Sequence, residues 1–257
     1  MDMDLGLDAK RALVGGGASG IGAGVARVLA AEGARVMLAG RTAETLEATA
    51  RDIGAMSVIT DLATKDGAAH AVRTAAEQLG GLDLLVVNSG GPPGGTFEAV
   101  DEDAWARAIE GTLQSALRLI RAALPHLREA RDPAILVNLS SSVRQPIPAL
   151  ITSNVLRPGL AGLVKSLTSE IAPIRINGVA PGRFATERVR QLDTARAEVN
   201  GASIEEVRRQ TEATIPLGRY GDTAEIGRVA AFLLSPAASY VTGAIVPVDG
   251  GMVNALP

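Results

Sequence analysis

The chain has 257 residues, of which 47% are hydrophobic and 21% are charged, and this suits one α/β domain with a buried core. A net charge of −3 gives no general attraction to nucleic acid or anionic lipid, and the absence of cysteine excludes disulfides and thiolate chemistry. Neither a leader peptide nor an apolar run of bilayer length is visible. We therefore expect one cytoplasmic domain over residues 1–257, without a metal, nucleic-acid or membrane partner.

Short apolar runs alternate with stretches of helical periodicity along the whole chain. This alternation predicts a doubly wound, Rossmann-like parallel sheet of about seven strands with helices on both faces, in a three-layer α/β/α arrangement. Asp222 and Glu225 form a capping box that predicts a helix to about Leu234. The irregular segment 184–215 is either a helical excursion or a mobile lid. The predicted strands are Arg11–Val14, Arg35–Ala39, Ser57–Thr60, Leu82–Val87, Ala134–Leu139, Ile174–Val179 and Ile245–Val248.

A glycine-rich segment, Gly15–Gly22, joins the first strand to the first helix and has the sequence GGGASGIG. Such a turn lets the backbone approach a pyrophosphate, while the helix N-terminus offers free N–H groups and a partial positive charge. The alternative is a tight turn that binds no ligand. The spacing resembles the Thr-Gly-x-x-x-Gly-Ile-Gly pattern of the short-chain dehydrogenase/reductase family, although Gly15 stands at the threonine position. The expected cofactor-binding residues here are Gly16, Ser19, Gly20, Ile21 and Gly22.

The end of the second strand favours NADP over NAD as the cofactor. A Rossmann site for NAD places an acidic residue there against the ribose, but this chain has Arg41, which suits a 2′-phosphate. The alternative for Arg41 is a solvated side chain in a turn. Asp61 and Leu62 follow the third strand, where the resemblance implies an adenine contact; Asp61 is equally suited to be the N-cap of the next helix.

The resemblance to this family extends from about Lys10 to Gly251. Asn88 and Gly90 match two positions of the family's Asn-Asn-Ala-Gly motif, and Pro181 with Gly182 matches the segment that implies a nicotinamide contact. The C-terminal matches are similar to those of 3-oxoacyl carrier-protein reductases, and they comprise Ile215–Arg219, Thr242–Gly243 and Val248–Gly251.

The catalytic tetrad of the resembling family is Asn, Ser, Tyr and Lys, and this chain departs from it. Thr112 stands at the Asn position, and Ser141 is the best match for Ser, although its serine run also suits a simple strand-end cap. Ser153 and Arg157 replace Tyr and Lys. An aliphatic hydroxyl is a far weaker acid than a phenol, whereas an arginine with a pKa above roughly 12 can donate to the nicotinamide ribose or stabilise an anionic oxygen.

No other residue is a strong substitute for the missing tyrosine. We expect structural roles for the two tyrosines and surface positions on helices for the two histidines. Pro158 predicts that the following helix, which runs to about Ile171, begins one turn later than in the family, which would leave Arg157 on an extended segment. Segment 90–95 is a stiff loop that either shapes a pocket or only turns the chain. The residues compared as substitutes are Tyr220, Tyr240, His70 and His126.

Three functions are compatible with these features. The first is an NADP-dependent oxidoreductase that interconverts a carbonyl and an alcohol with atypical or impaired proton transfer. The second is a non-catalytic dinucleotide-binding sensor or partner subunit, and the third is a structural subunit, which would need neither Arg41 nor the glycine turn. The helices expected over 104–130 and 158–172 resemble the family's interface helices, so we expect a homodimer or homotetramer.

Overall fold

A computed structural model of the chain describes residues 4–255 and contains one seven-stranded parallel sheet. Each of the seven predicted strands is present, with ends that shift by one or two residues, so the predicted fold class is confirmed. The strands are short, apolar and buried on both faces, apart from the two edges, as is typical of a parallel sheet covered by helices. They are Arg11–Gly15 (β1), Arg35–Gly40 (β2), Met56–Ile59 (β3), Leu84–Val87 (β4), Ala134–Asn138 (β5), Arg175–Pro181 (β6) and Ile245–Val248 (β7).

Helices cover the sheet on both faces and form two separate apolar layers. One layer packs α3, α5 and α6 against the sheet, and the other packs α1, α2 and α9 against the opposite face. The predicted capping box of α9 is present: Asp222 Oδ1 accepts from the backbone N–H of Ala224 at 2.8 Å, and Glu225 Oε2 accepts from the backbone N–H of Asp222 at 2.7 Å. The helices are Gly20–Ala31 (α1), Ala43–Ile53 (α2), Lys65–Leu79 (α3), Glu102–Ala108 (α4), Ser115–Arg128 (α5), Ile151–Glu170 (α6), Glu187–Asn200 (α7), Ile204–Glu212 (α8) and Thr223–Leu234 (α9).

The strand order β3-β2-β1-β4-β5-β6-β7 reverses direction between β1 and β4. In an open parallel sheet, ligands bind outside the carboxyl ends of the strands at such a reversal, because the flanking loops diverge there. The glycine turn follows β1, and Asn88 follows β4. The topology therefore brings the predicted cofactor residues to one edge of the sheet.

The prediction that Pro158 delays the start of its helix is wrong. Helix α6 begins at Ile151 and carries Pro158 in its interior, so Arg157 is helical and not extended. A proline inside a helix costs about 3 kcal/mol, since it removes one backbone hydrogen bond and crowds the preceding turn. Burial of Leu160 and Val164 in the apolar layer against the sheet favours the continuous helix and offsets this cost, and Leu156 is buried as well.

Two further segments differ from a simple helical pattern. The predicted helix over 104–130 divides into α4, a π-helical turn at Ile109–Gln114 and α5, and Thr112 lies in the π-helical turn. Such turns are rare and occur frequently at functional sites. Segment 184–215 contains α7 and α8, so the helical excursion is the alternative that the structure shows.

Residues 4–255 include no helix with the length and hydropathy of a membrane span, and no cluster of side chains able to chelate a metal.

An ion pair at the opposite edge of the sheet ties β1 to the start of β4. Asp83 is 5% exposed and accepts hydrogen bonds of 2.8 Å from Nε, Nη2 and the backbone N–H of Arg11. Burial by itself would raise the pKa of Asp83, but the hydrogen bonds from Arg11 outweigh it and lower the pKa. The carboxylate therefore stabilises the fold above its unfolded pKa of about 3.9, and this contribution is lost as pH falls through the lower folded pKa.

We expect Asp83→Asn to lower the free energy of unfolding by about 2–3 kcal/mol at pH 7, because it removes one partner of a largely buried pair. Urea unfolding at pH 7 and at pH 3 measures this, and the deficit of the variant should shrink at the lower pH. The control is Asp52→Asn, whose pair with Arg27 is exposed and should contribute less than about 1 kcal/mol. Equal losses in both variants, or a deficit that grows toward acid, would contradict the role of Asp83.

Candidate functional site

The turn between β1 and α1 has no space for side chains at its central glycines. Gly16 and Gly20 have φ angles of 58° and 57°, which favour glycine. A Cβ at Gly22 would lie 2.2 Å from the carbonyl oxygen of Gly16, and one at Gly15 would lie 2.8 Å from that of Asn88. The threonine that the family pattern has at position 15 would therefore not fit unless the backbone of Asn88 moved.

The N-terminus of α1 is open to an anion. Ser19 is the N-cap, but its side chain makes no capping hydrogen bond, and the first turn contains no acidic residue. The N–H groups of this turn therefore keep their partial positive charge. Thr186, the N-cap of α7, faces the same turn, since its Cγ2 lies 3.6 Å from where a Cβ of Gly20 would be. Ile21 is partly buried beneath the turn and packs against the layer formed by α1, α2 and α9.

A buried hydrogen-bond network connects this turn to α6. Asn88 Nδ2 donates to the carbonyl oxygens of Gly15 and Gly16 at 3.0 and 3.3 Å. Asn138, at the end of β5, donates from Nδ2 to Asn88 Oδ1 at 2.8 Å. Arg157 Nη1 in turn donates to the backbone oxygen of Asn138. Two residues, Asn88 and Asn138, thus join the glycine turn to Arg157, the position predicted to match the family's Lys.

Arg157 is a buried cation without a counter-ion. Arg157 is only 5% exposed, and within residues 4–255 no carboxylate lies within 4.0 Å of its guanidinium. Burial lowers the pKa of Arg157 to about 10, below the value expected from the sequence, but leaves the side chain charged at neutral pH. Its Nε and the Oδ1 of Asn138 are buried without hydrogen-bond partners. Such groups are costly, and where they occur they are candidates for ligand binding.

The hydroxyl of Ser153 is directed at Ser142. The two Oγ atoms lie 3.2 Å apart, and Ser142 Oγ also lies 3.4 Å from the carbonyl oxygen of Ser153. Ser141, the predicted match to the family's serine, is buried, and its hydroxyl makes no hydrogen bond within residues 4–255. Thr112 is buried in the π-helical turn, and its backbone oxygen lies 3.4 Å from the donor Ser115 Oγ.

The positions predicted to contact the adenosine half lie at the ends of β2 and β3. Arg41 is exposed at the end of β2, and no carboxylate within residues 4–255 pairs with it. The N-cap alternative for Asp61 is wrong, because Thr64 caps α3 by accepting from Gly67 N–H, while Asp61 Oδ1 accepts from Ala63 N–H within the preceding turn. Leu62 is buried, with its Cδ1 3.2 Å from where a Cβ of Gly15 would be.

The loop after β4 is held from two sides. Gly90 is exposed, Pro92 O accepts from Arg188 Nη2 of α7 at 2.7 Å, and Pro93 O accepts from Thr152 Oγ1 of α6 at 2.6 Å. Across the site, Gly182 follows Pro181 at the end of β6 and approaches Asp249 so closely that a Cβ there would lie 2.7 Å from Asp249 Cβ. The loop after β4 is thus fixed by hydrogen bonds to α6 and α7 and borders the site.

All the predicted site residues lie at the carboxyl edge of the sheet or on α6 and the π-helical turn beside it. Hydrogen bonds join Asn88 to Gly15 and Gly16, and Arg157 of α6 to the end of β5. Among the described residues, neither Arg41 nor Thr112 makes a side-chain hydrogen bond to another predicted site residue. Sequence reasoning missed five residues of this region. They are Asn138, Ser142, Thr152, Thr186 and Arg188.

The tyrosines and histidines do not enter the site. Tyr220 is buried and its hydroxyl donates to Asp193 Oδ2 at 2.8 Å, while Tyr240 is fully exposed. Burial, followed by the bond to Asp193, raises the pKa of Tyr220, which makes it a poorer proton donor still. His70 is exposed on α3, and His126 is partly buried in the last turn of α5.

Comparison with known proteins agrees with this geometry. The family described as Enoyl-(Acyl carrier protein) reductase matches residues 16–253. Cis-4-hydroxycyclohexanecarboxylate dehydrogenase of Sinomonas cyclohexanicum is 38% identical, over 93% of this chain and 95% of its own. A 3-oxoacyl-[acyl-carrier-protein] reductase of Chlamydia muridarum is 30% identical, over 95% of this chain and 97% of its own.

A solved structure shows the same likeness in three dimensions. L-sorbose reductase of Gluconobacter frateurii, in complex with NADPH and L-sorbose, superposes with a TM-score of 0.93 at 30% identity, over 99% of this chain and 100% of its own. The sequence matches cover nearly all of both chains, and the strand order and the glycine turn agree with them. The chain therefore belongs to the short-chain dehydrogenase/reductase family.

Proposed function

We propose that this protein is an NADP(H)-dependent oxidoreductase that interconverts a carbonyl and an alcohol without a tyrosine as the proton donor. The observation that carries the proposal is the buried network from the glycine turn through Asn88 and Asn138 to Arg157. It connects the turn expected to hold phosphates with a buried cation in the same site. The similar proteins named as a hydroxycyclohexanecarboxylate dehydrogenase and an L-sorbose reductase support the carbonyl–alcohol class.

The residues present fit a dinucleotide. The turn excludes a Cβ at Gly16 and Gly22, so its backbone can approach a pyrophosphate, and the uncapped start of α1 favours the negative charge. The buried Nε of Arg157 lacks an acceptor, and a ribose hydroxyl would supply one. Arg41, exposed and without an ion-pair partner within residues 4–255, would bind a 2′-phosphate. The NADPH in the sorbose reductase structure supports the same choice of cofactor.

The cofactor supplies or accepts the hydride, and the chain's own residues position the substrate oxygen. Ser141 and Ser153 offer hydroxyl donors at neutral pH but do not ionise there. Arg157, as a buried cation, stabilises negative charge that develops on that oxygen. The proton then comes from water or from an acid on the substrate. Loss of general acid catalysis typically costs about 10²–10⁴-fold in rate, so we propose slow turnover rather than none.

A second candidate is a non-catalytic NADP(H)-binding sensor or partner subunit. The specific observation in its favour is the contact between Ser153 and Ser142, in which both hydroxyls can satisfy each other inside the protein. A panel of ketones and alcohols with NADPH or NADP⁺ separates the two functions. Turnover favours the oxidoreductase, whereas tight binding without turnover favours the sensor.

We also propose a homodimer or homotetramer of one nucleotide-binding domain per chain. The resemblance of the segments 104–130 and 158–172 to the family's interface helices supports contact between copies through α5 and α6. Light scattering of the purified protein measures the mass, and a monomer at micromolar concentration would contradict the proposal.

We expect Arg41→Ala to weaken NADPH binding by about 10–100-fold, because it removes a charge-assisted contact to the 2′-phosphate, and to change NADH binding little. Titrations followed by nucleotide fluorescence measure both affinities. The control is Arg51→Ala, which removes an exposed arginine from the last turn of α2. Equal weakening of NADPH and NADH by Arg41→Ala would exclude recognition of the 2′-phosphate by this residue.

A further inference from the structure

Arg188 is a partly buried arginine at the candidate site that no acidic residue neutralises. It lies in the first turn of α7, and its Nη2 donates to the backbone oxygen of Pro92 at 2.7 Å. Within residues 4–255, its Nε and Nη1 have no hydrogen-bond acceptor, and no carboxylate lies within 4.0 Å of the guanidinium. Burial lowers the pKa of Arg188.

The acidic groups nearest in sequence are already paired with other residues. Glu187 accepts bonds of 2.8 Å from both Nε and Nη2 of Arg190. Asp193 accepts from Arg183 at 3.1 Å and from Tyr220 at 2.8 Å. The loop that Arg188 contacts, residues 90–95, contains no charged residue. An anion from outside the chain is therefore the natural partner for this guanidinium.

The tethered loop places Arg188 on the same side of the site as Ser153. Pro92 bonds Arg188, the adjacent Pro93 bonds Thr152, and Thr152 directly precedes Ser153. The loop packs closely on Arg188 without a side chain at Gly91, where a Cβ would lie 2.9 Å from Arg188 Nε. A molecule bound beside this loop would therefore lie near both the guanidinium and the start of α6.

We propose that Arg188 binds a carboxylate of the substrate, so that the substrates are hydroxy acids and their oxo acids. This inference rests on the proposed oxidoreductase function and names its substrate class. The planar guanidinium matches a carboxylate and still offers donors that the protein does not use. One such cation in a partly desolvated position, with Pro92 fixing its orientation, suits a single negative charge on a small molecule.

The test compares the binding of 4-oxocyclohexanecarboxylate with that of its methyl ester. Calorimetry is done on the full-length protein, first saturated with NADP⁺, which cannot reduce the ketone, and then free of nucleotide. We expect the wild type to bind the acid at least about tenfold more tightly than the ester. Arg188→Met, which keeps an unbranched apolar stem but removes the guanidinium, should abolish this preference and leave NADPH affinity unchanged, while Arg188→Lys should keep part of it.

The matched control is Arg190→Met, since Arg190 lies two residues further along α7 but is paired with Glu187 on the surface. It should retain the preference for the acid. Equal binding of acid and ester by the wild type would overturn the inference, and so would a loss of NADPH affinity in Arg188→Met with the preference intact. If the wild type binds neither NADPH nor NADH, the proposed function fails. The titrations without nucleotide still test Arg188, because equal binding of the acid and the ester in them would refute the carboxylate contact. If Arg188→Met fails to fold, Arg188→Lys is used instead. A preference for the acid that is undiminished in this variant and does not change with salt concentration would refute a charge contact.

Discussion

The double variant Ser153→Tyr with Arg157→Lys is expected to raise the rate of NADPH-dependent carbonyl reduction by about 10²–10⁴-fold. Positions 153 and 157 are separated by one turn of α6, so the two side chains lie on the same face of the helix. An ammonium at position 157 would lower the pKa of a phenol at position 153 and let it exchange protons near neutrality. The rate should accordingly acquire a titration near neutral pH that the wild type lacks.

The matched control is Ser153→Phe with Arg157→Lys, which adds the same ring without the hydroxyl. Initial rates with a ketone panel measure the gain, and NADPH titration verifies that both variants keep the cofactor site. A comparable gain in the phenylalanine variant would show that proton transfer is not the cause. No gain in a folded, nucleotide-binding tyrosine variant would mean that Thr112 or the helix around Pro158 also limits the chemistry.

We expect Gly22→Ala to weaken NADPH binding by about tenfold to a hundredfold and to lower the free energy of unfolding by about 1–3 kcal/mol. The added methyl group would lie 2.2 Å from Gly16 O and 2.7 Å from Asn88 Nδ2, so the turn and the network behind it must both move. Fluorescence titration and urea unfolding measure the two effects.

Gly162→Ala is the control for this substitution, because it lies in α6 and its added Cβ meets no atom within 4 Å. It should stabilise the helix by about 0.5–1 kcal/mol and leave the nucleotide affinity unchanged. Unaltered NADPH binding by Gly22→Ala would show that the turn does not hold the pyrophosphate.

The fold could be predicted from the sequence because its signals are local. Apolar strands, the glycine turn and the capping box at Asp222 each specify their own element from residues within a few positions. The prediction at Pro158 failed because the preference of an X-Pro pair is local, whereas the packing of α6 that overrides it depends on β6 and the core.

The contacts of the site were less predictable than its location. Asn138 reads as an ordinary polar residue at a strand end, and its bond to Asn88 exists only because β4 and β5 are neighbours. Arg188 and Pro92 are 96 residues apart, so no spacing in the chain indicates their contact. The sequence made Ser141 the best match for the family's serine, whereas the hydroxyl in contact with Ser153 belongs to Ser142.

The π-helical turn at Ile109–Gln114 makes the length of this helix sensitive to insertion and deletion. A π-helical turn accommodates one residue more than an α-helical turn, and Ser115 Oγ stabilises it by donating to Gly111 O at 2.7 Å. Removing one residue would let α4 and α5 merge into a regular helix, but the residues before the deletion would then rotate by about 100° relative to α5. Thr112 would then leave its buried position. We therefore expect the protein to tolerate the insertion or deletion of one residue poorly in this turn, in contrast to the surface loops.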